Sequence, residues 1–244
     1  MDIPLYFYLA YKDLDRLSPT GTDTTLKVLE LIDFENDKLA ILDIGCGVGD
    51  KTILLAHYFE NSCVEAVDLF KHNLAVLNEK ITENNLEERV FTYKMNLNDL
   101  DFANEEFNIV FSDGAAEKIG FKRALKEWKR LLKKDSYLII SDVSWLKNPS
   151  NESKKFWKTI YDDVAMIDEK IRQIGDEGYV FIDYVVTPKS DWKEYYSKLE
   201  KNINSLSSDE SARNFVKLIR KEIKTFQENS DDYSYVFYIM KVID

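Results

Sequence analysis

Residues 41–50 read ILDIGCGVGD, a short apolar run that passes through three alternating glycines, Gly45, Gly47 and Gly49, directly into a helical pattern near Asp50. Glycine is required where backbone turns sharply with positive φ or lets a ligand approach closely. A strand feeding such a loop and then a helix predicts the first unit of a doubly wound α/β sheet with a binding site at the strand's C-terminal end. The spacing is GxGxG rather than the GxGxxG of a dinucleotide fingerprint, so the loop alone leaves the ligand open. Asp43, two residues before Gly45, narrows the choice. A negative charge there disfavours a bound phosphate and favours an ammonium or sulfonium group. Asp68 ends the next apolar run, CVEAVD (63–68), where an acid is placed to accept from the hydroxyls of a ribose.

The rest of the chain repeats the alternation. After a helix to about Tyr58 and a second through Leu77 come the apolar runs RVFTYKM from Arg89, FNIVFSD (107–113) and SYLIISDV (136–143). Helical patterns lie at 24–33 and 124–134. Runs of this length separated by helices imply βαβ crossovers and a mainly parallel sheet covered on both faces. Beyond Ser144, residues 151–175 read as one amphipathic helix, GYVFIDYVV (178–186) as a sixth strand, 190–229 as helix and YSYVFYIMKV (233–242) as a last strand. The expected fold is a Rossmann-like, doubly wound, seven-stranded sheet in one domain over 1–244. Its last strand is antiparallel, as an edge insertion. Cap helices span 1–35, and helical lid insertions span 146–176 and 189–230; the latter is too long for a hairpin connection.

Composition limits the partners. A net charge of −11 over 244 residues repels polyanions, and the Lys-rich stretches at 122–134 and 217–224 alternate with apolar and acidic residues as solvated helix faces do. No nucleic-acid partner is expected, and a small molecule is. No apolar run approaches the ~18 residues that span a bilayer, so no membrane association is expected. The opening residues carry no basic leader pattern, and Cys46 and Cys63 show no metal or disulfide spacing. A cytoplasmic monomer or homodimer is the expectation. With two histidines, His57 and His72, there is little material for a histidine metal site or triad. A three-acid magnesium site from Asp113, Glu117 and Asp142 is conceivable, but acids are so abundant in this chain that no metal is assigned.

ILDIGCGVG, VEAVD, the polar loop after the third strand, FNIVFSDGA and LIISDVSW together resemble the ordered motifs of class I S-adenosylmethionine-dependent methyltransferases over residues 24–145. SDGAAEKIGF, DWKEYY and YVFYIMK extend the resemblance to bacterial and archaeal small-molecule methyltransferases. The resemblance implies S-adenosylmethionine as cofactor and S-adenosylhomocysteine as product. It places Gly45, Gly47 and their neighbours by the methionine part, Asp68 on the ribose, Asn96 and Leu97 at the adenine edge, and Ser112 beside the transferable methyl, with Asp43, Cys46, Gly49 and Leu69 counted among the cofactor-binding residues. Three departures stand out: Val48 where Thr or Ser is common, Asn96 where Asp is frequent, and KKDS (133–136) in place of KPGG. SDGA does not resemble the Asn/Asp-Pro-Pro-Tyr motif of enzymes that methylate planar amino groups. No catalytic residue is assigned, since methyl transfer is an in-line displacement that depends heavily on alignment.

Substrate-wall candidates are Tyr8, Tyr11, Arg16, Asp113, Trp145 and Tyr195, with Tyr6, Trp157, Trp192 and Tyr196 as further aromatics that serve equally as packing. Trp128, in line with Leu125 and Leu132, reads as core. Two alternatives remain: a protein that binds the cofactor without turnover, and an NAD-dependent oxidoreductase.

Overall fold

The computed structural model describes residues 5–34 and 38–243. Residues 1–4 and 35 of the expected N-terminal cap lie outside the described residues. In chain order, helices α1 (Leu5–Tyr11) and α2 (Thr22–Leu29) precede strand β1 (Ala40–Ile44). Then follow α3 (Asp50–Tyr58), β2 (Cys63–Asp68), α4 (Lys71–Glu83), β3 (Val90–Lys94), β4 (Phe107–Asp113), α5 (Phe121–Trp128) and β5 (Leu132–Trp145). The later part comprises α6 (Asn151–Trp157), β6 (Ala165–Met166), α7 (Ile167–Asp176), β7 (Val180–Val186), α8 (Lys189–Ser205), α9 (Arg213–Asn229) and β8 (Tyr233–Lys241).

Seven strands form one sheet in the order β3-β2-β1-β4-β5-β8-β7, and the two-residue β6 pairs with the end of β5. β1 to β5 are parallel neighbours. Their side chains alternate between two cores, as the period of two demands. Ile41, Val64, Ile109 and Ile139 pack beneath α2, α3 and α4. Leu42, Val67, Val110 and Leu138 pack with α5 and α7, where Trp128 is buried as expected. The last strand is antiparallel, as the sequence suggests. It does not sit at the edge, however: β8 lies between β5 and β7 and pairs antiparallel with both. The physical reason is burial, since Tyr233, Val236, Phe237, Tyr238, Ile239 and Met240 are fully enclosed, whereas Val180, Ile182 and Tyr184 of β7 are exposed at the true edge.

Two element boundaries depart from the sequence reading. The helix expected at 124–134 stops at Trp128, because Leu132 is drawn into register beside Phe107 and Arg130 donates to the carbonyls of Leu100 and Phe102. The helix expected over 151–175 breaks into α6 and α7. Ser150 caps α6, accepting from Ser153 N at 3.2 Å, and Thr159 Oγ1 turns back onto the Phe156 carbonyl at 2.6 Å. The intervening Tyr161 hydroxyl donates to buried Asp142 at 2.9 Å, and Glu169 then restarts the helix by accepting from Met166 N.

A third core joins α1, α6, α8 and α9 to the start of β8. Trp192 stacks on Phe226 with ring centroids 4.9 Å apart and donates through Nε1 to Ser234. Among the described residues, no helix is long and apolar enough to cross a membrane.

Candidate active site

The glycine loop leaves β1 and is tied at once to β2, with Gly45 N and Cys46 N both donating to the Val67 carbonyl, at 2.8 and 3.0 Å. Gly45 has φ +76°, and a Cβ there would stand 2.3 Å from the Ala115 Cβ. Gly49 has φ +84° and opens α3; a Cβ there would stand 2.2 Å from Leu77 Cδ1. Both positions are closed to any side chain, which brings the backbone of the loop against the connection after β4 and against α4.

Asp68 closes the loop from the end of β2. Its carboxylate accepts from Gly47 N at 3.0 Å, Phe70 N at 2.8 Å and Asn73 Nδ2 at 3.2 Å. Burial raises its pKa, and these donors oppose the rise by stabilising the charge. Asp43, 1 % exposed, accepts from Thr52 Oγ1 at 2.6 Å, and burial pushes its pKa up to about 7. Asp113 ends β4 and accepts from Ser18 and Ser141, each at 2.5 Å, with its pKa likewise raised by burial.

Lys51 joins these acids, and the sequence reading missed it. Its ammonium, 4 % exposed as a residue, donates to the Thr20 carbonyl at 2.7 Å and to Asp50 at 2.6 Å, and lies 3.7 Å from Asp113. Ser18, Thr20 and Lys51 thereby fasten the segment after α1 across the C-terminal ends of β1 and β4. One signal was available: a lysine in the first turn of a helix opposes the macrodipole and needs a local anionic partner.

These groups line one cavity of about 710 Å³. One half is walled by Asp43, Gly45, Cys46, Gly47 and Asp68, and continues past Leu69, Asn96 and Leu97. The other half lies under the helices, against Tyr11, Tyr195, Phe215, Tyr235, Glu117 and Glu222. Of the substrate candidates singled out from sequence, Tyr11, Asp113 and Tyr195 are on the cavity wall. Gly49 and Ser112 are not on the cavity wall; Ser112 is fully buried and donates to the Ile44 carbonyl at 3.0 Å, linking β4 to β1. Three substrate candidates also lie elsewhere. Arg16 is held by Glu194 and the Asp191 carbonyl, Tyr8 meets His72 edge-on at 4.4 Å, and Trp145 packs towards Tyr233. Their partners are the physical reason: each ring or cation is already engaged away from the cavity. Asp142 faces Lys170 and Tyr161, and Glu117 faces Tyr235 and Lys118. Among the described residues no three His, Cys, Asp or Glu side chains gather as metal ligands.

Glu222 was the other omission. It lies on the apolar stripe of α9, between Ile219 and Phe226, where a lone acid among core positions is a legible irregularity.

Comparison with known proteins agrees with this geometry. Residues 35–220 match the family model described as a methyltransferase domain. An uncharacterized protein from Haemophilus influenzae is 27% identical over 249 residues, an alignment covering 94% of this chain and 89% of its own. Among solved structures, YjhP from E. coli superposes with a TM-score of 0.83 at 16% identity, covering 99% of this chain and 100% of its own. An S-adenosylmethionine-dependent methyltransferase from Thiobacillus denitrificans, solved with S-adenosyl-L-homocysteine, also reaches 0.83, at 15% identity over 98% of this chain and 99% of its own. By its family model the chain belongs to the methyltransferase domain family, and it shares its fold with S-adenosylmethionine-dependent methyltransferases of known structure.

Proposed function

We propose that this chain transfers the methyl group of S-adenosylmethionine to a small-molecule acceptor inside the cavity beneath α1, α8 and α9. The observation that carries the reading is that one cavity is lined both by the glycine loop with Asp68 and by the aromatic side chains of the helices. Its volume lies within the range of ~300–1,000 Å³ usual for small-ligand sites. The donor set fits the cofactor. Asp68 is an acid at the end of β2 for the ribose hydroxyls, Gly45 to Gly47 offer bare backbone to the methionine part, and Asn96 and Leu97 flank the adenine. Asp50, Asp68 and Asp113 outnumber the single ammonium of Lys51 beside them and favour a ligand carrying ammonium and sulfonium charges. The bound cofactor supplies the activated methyl; the chain binds, aligns the acceptor and keeps water out.

The helices within 146–176 and 189–230, with the segment after α1, serve in this reading as the cover over the acceptor. A cytoplasmic setting belongs to the same proposal, supported by the two free cysteines, Cys46 and Cys63. Parallel calorimetric titrations with S-adenosylmethionine, S-adenosylhomocysteine and NAD test it. One saturable site for the first two and none for NAD is expected; binding of NAD alone would replace the reading with a nicotinamide enzyme. Incubation with S-adenosylmethionine and a metabolite extract should then release S-adenosylhomocysteine. Binding without release would leave a cofactor-binding protein that does not turn over.

A further inference from the structure

The acceptor half of the cavity is both acidic and aromatic. Glu117 accepts from the Tyr235 hydroxyl at 3.0 Å and from Lys118 at 2.5 Å, the lysine side chain being 65% exposed. Glu222 accepts from the Tyr196 hydroxyl at 2.9 Å and makes no ion pair among the described residues. Burial, with repulsion from Glu117, pushes the Glu222 pKa up to about 7 despite the Tyr196 bond and the more distant Lys118. Burial holds the hydroxyls of Tyr11, Tyr195 and Tyr235 protonated, helped by both carboxylates at Tyr11 and Tyr235 and by Tyr11 and Glu222 at Tyr195, so neutral phenol rings surround the acids. A carboxylate placed on the apolar stripe of α9 with no cation beside it is costly to the folded chain and is relieved by a positive ligand. Electron-rich ring faces favour the same charge.

We infer that the acceptor is an amine, bound with its nitrogen towards Glu222 and against the rings of Tyr11, Tyr195 and Tyr235. This rests on the methyltransferase reading above and names the substrate class of that site. The chemistry agrees with the charges. The amine is held as its ammonium and first passes one N–H proton through Glu222 to solvent; the lone pair so freed forms the new N–C bond as the S–C bond breaks and the electron pair of that bond returns to sulfur. The positive charge therefore passes from sulfur to nitrogen, into the half of the cavity that carries Glu117 and Glu222. Carboxylates fixed there before reaction stabilise that displacement of charge. The N–H proton of the methylated product then passes to Glu222 and on to solvent, which frees the product as a neutral amine. The same acids disfavour phosphate- or carboxylate-bearing acceptors by like-charge repulsion and desolvation.

The test is calorimetry on the protein loaded with S-adenosylhomocysteine, using three probes of matched shape: N,N-dimethylbenzylamine, benzyl methyl ether and benzoate. The amine should bind at least about ten-fold more tightly than the ether, with no binding of benzoate. Glu222→Gln should lower amine affinity by about ten-fold and leave the ether unchanged, whereas Glu222→Asp should retain most of it. Unchanged affinity of Glu222→Gln for S-adenosylhomocysteine would show that the variant is folded. Equal binding of amine and ether, or a Glu222→Gln variant that holds the amine as tightly as the wild type, would overturn the inference. Failure of the wild type to bind S-adenosylhomocysteine would instead remove the underlying site assignment, and the inference with it.

Discussion

Asp68 holds Gly47 N and Phe70 N in place, and in the proposed function the same carboxylate also receives the ribose. Asp68→Ala is expected to weaken binding of S-adenosylhomocysteine by about 1–3 kcal/mol, through loss of charge-assisted hydrogen bonds. Calorimetry on the folded variant measures this, and an undiminished affinity would remove Asp68 from the ribose. Glu222 makes a second expectation, in stability. Its pKa is raised from the ordinary carboxylate value, roughly 4.3 in an unfolded chain, to about 7 in the folded protein. The folded state therefore holds the proton more tightly, and this group's contribution to stability falls as pH rises from about 4.5 to about 7, then levels off. Glu222→Gln should gain melting temperature relative to wild type across that window; a difference that is flat with pH would contradict the assignment. The two residues differ in legibility. Asp68 was visible because it closes an apolar run at a fixed distance from a glycine loop. Glu222 was not singled out, although its place three residues after Ile219 and four before Phe226 marks it on the apolar stripe of α9; which neighbours that stripe meets is set only by the fold.

At the level of elements, the joint between β5 and α7 is the clearest case of structure that sequence periodicity does not reveal. Lys170 is fully buried and donates to Asp142 and to the Val143 carbonyl, with its ammonium 4.7 Å from the centre of the Phe121 ring. Removing the cation alone strands the Asp142 charge in the interior, so Lys170→Met should destabilise the fold by about 3–5 kcal/mol. Lys170→Met combined with Asp142→Asn should recover much of that loss. Chemical denaturation of the single and double variants decides it, and equal destabilisation of both would mean that packing rather than charge governs the joint. The strands β2 and β4 were legible to the residue and β1 to within one residue, because each is a short apolar run bounded by a glycine turn, a polar cap or an acid. The break between α6 and α7 was not. Tyr161 and Thr159 fit a helical pattern locally, and only their bonds to Asp142 and Phe156 pull the chain out of it.

For the whole molecule, the doubly wound order and the antiparallel last strand could be read from the alternation of runs, while the place of β8 inside the sheet could not. Strand pairing between segments distant in sequence leaves no local mark. The acidic surface, with a net charge of −11, bears on kinetics. S-adenosylmethionine carries net positive charge and S-adenosylhomocysteine none, so raising ionic strength from about 20 to about 300 mM should slow association of the first and hardly alter the second. Stopped-flow association rates measure the contrast; equal salt dependence for the two ligands would show that long-range steering plays no part.

The position of β8 also has a consequence for how the chain is made. β7 is synthesised before α8, α9 and β8, yet β8 is the strand that binds it to β5. During translation β5 therefore leaves the ribosome with an open edge, and β7 waits without a neighbour until the two helices between them have emerged. An unpaired apolar strand edge invites pairing with another chain. Helices α8 and α9 thus lie within the interval during which a nascent chain is most exposed to misassembly, and slow decoding across residues 189–232 would prolong it.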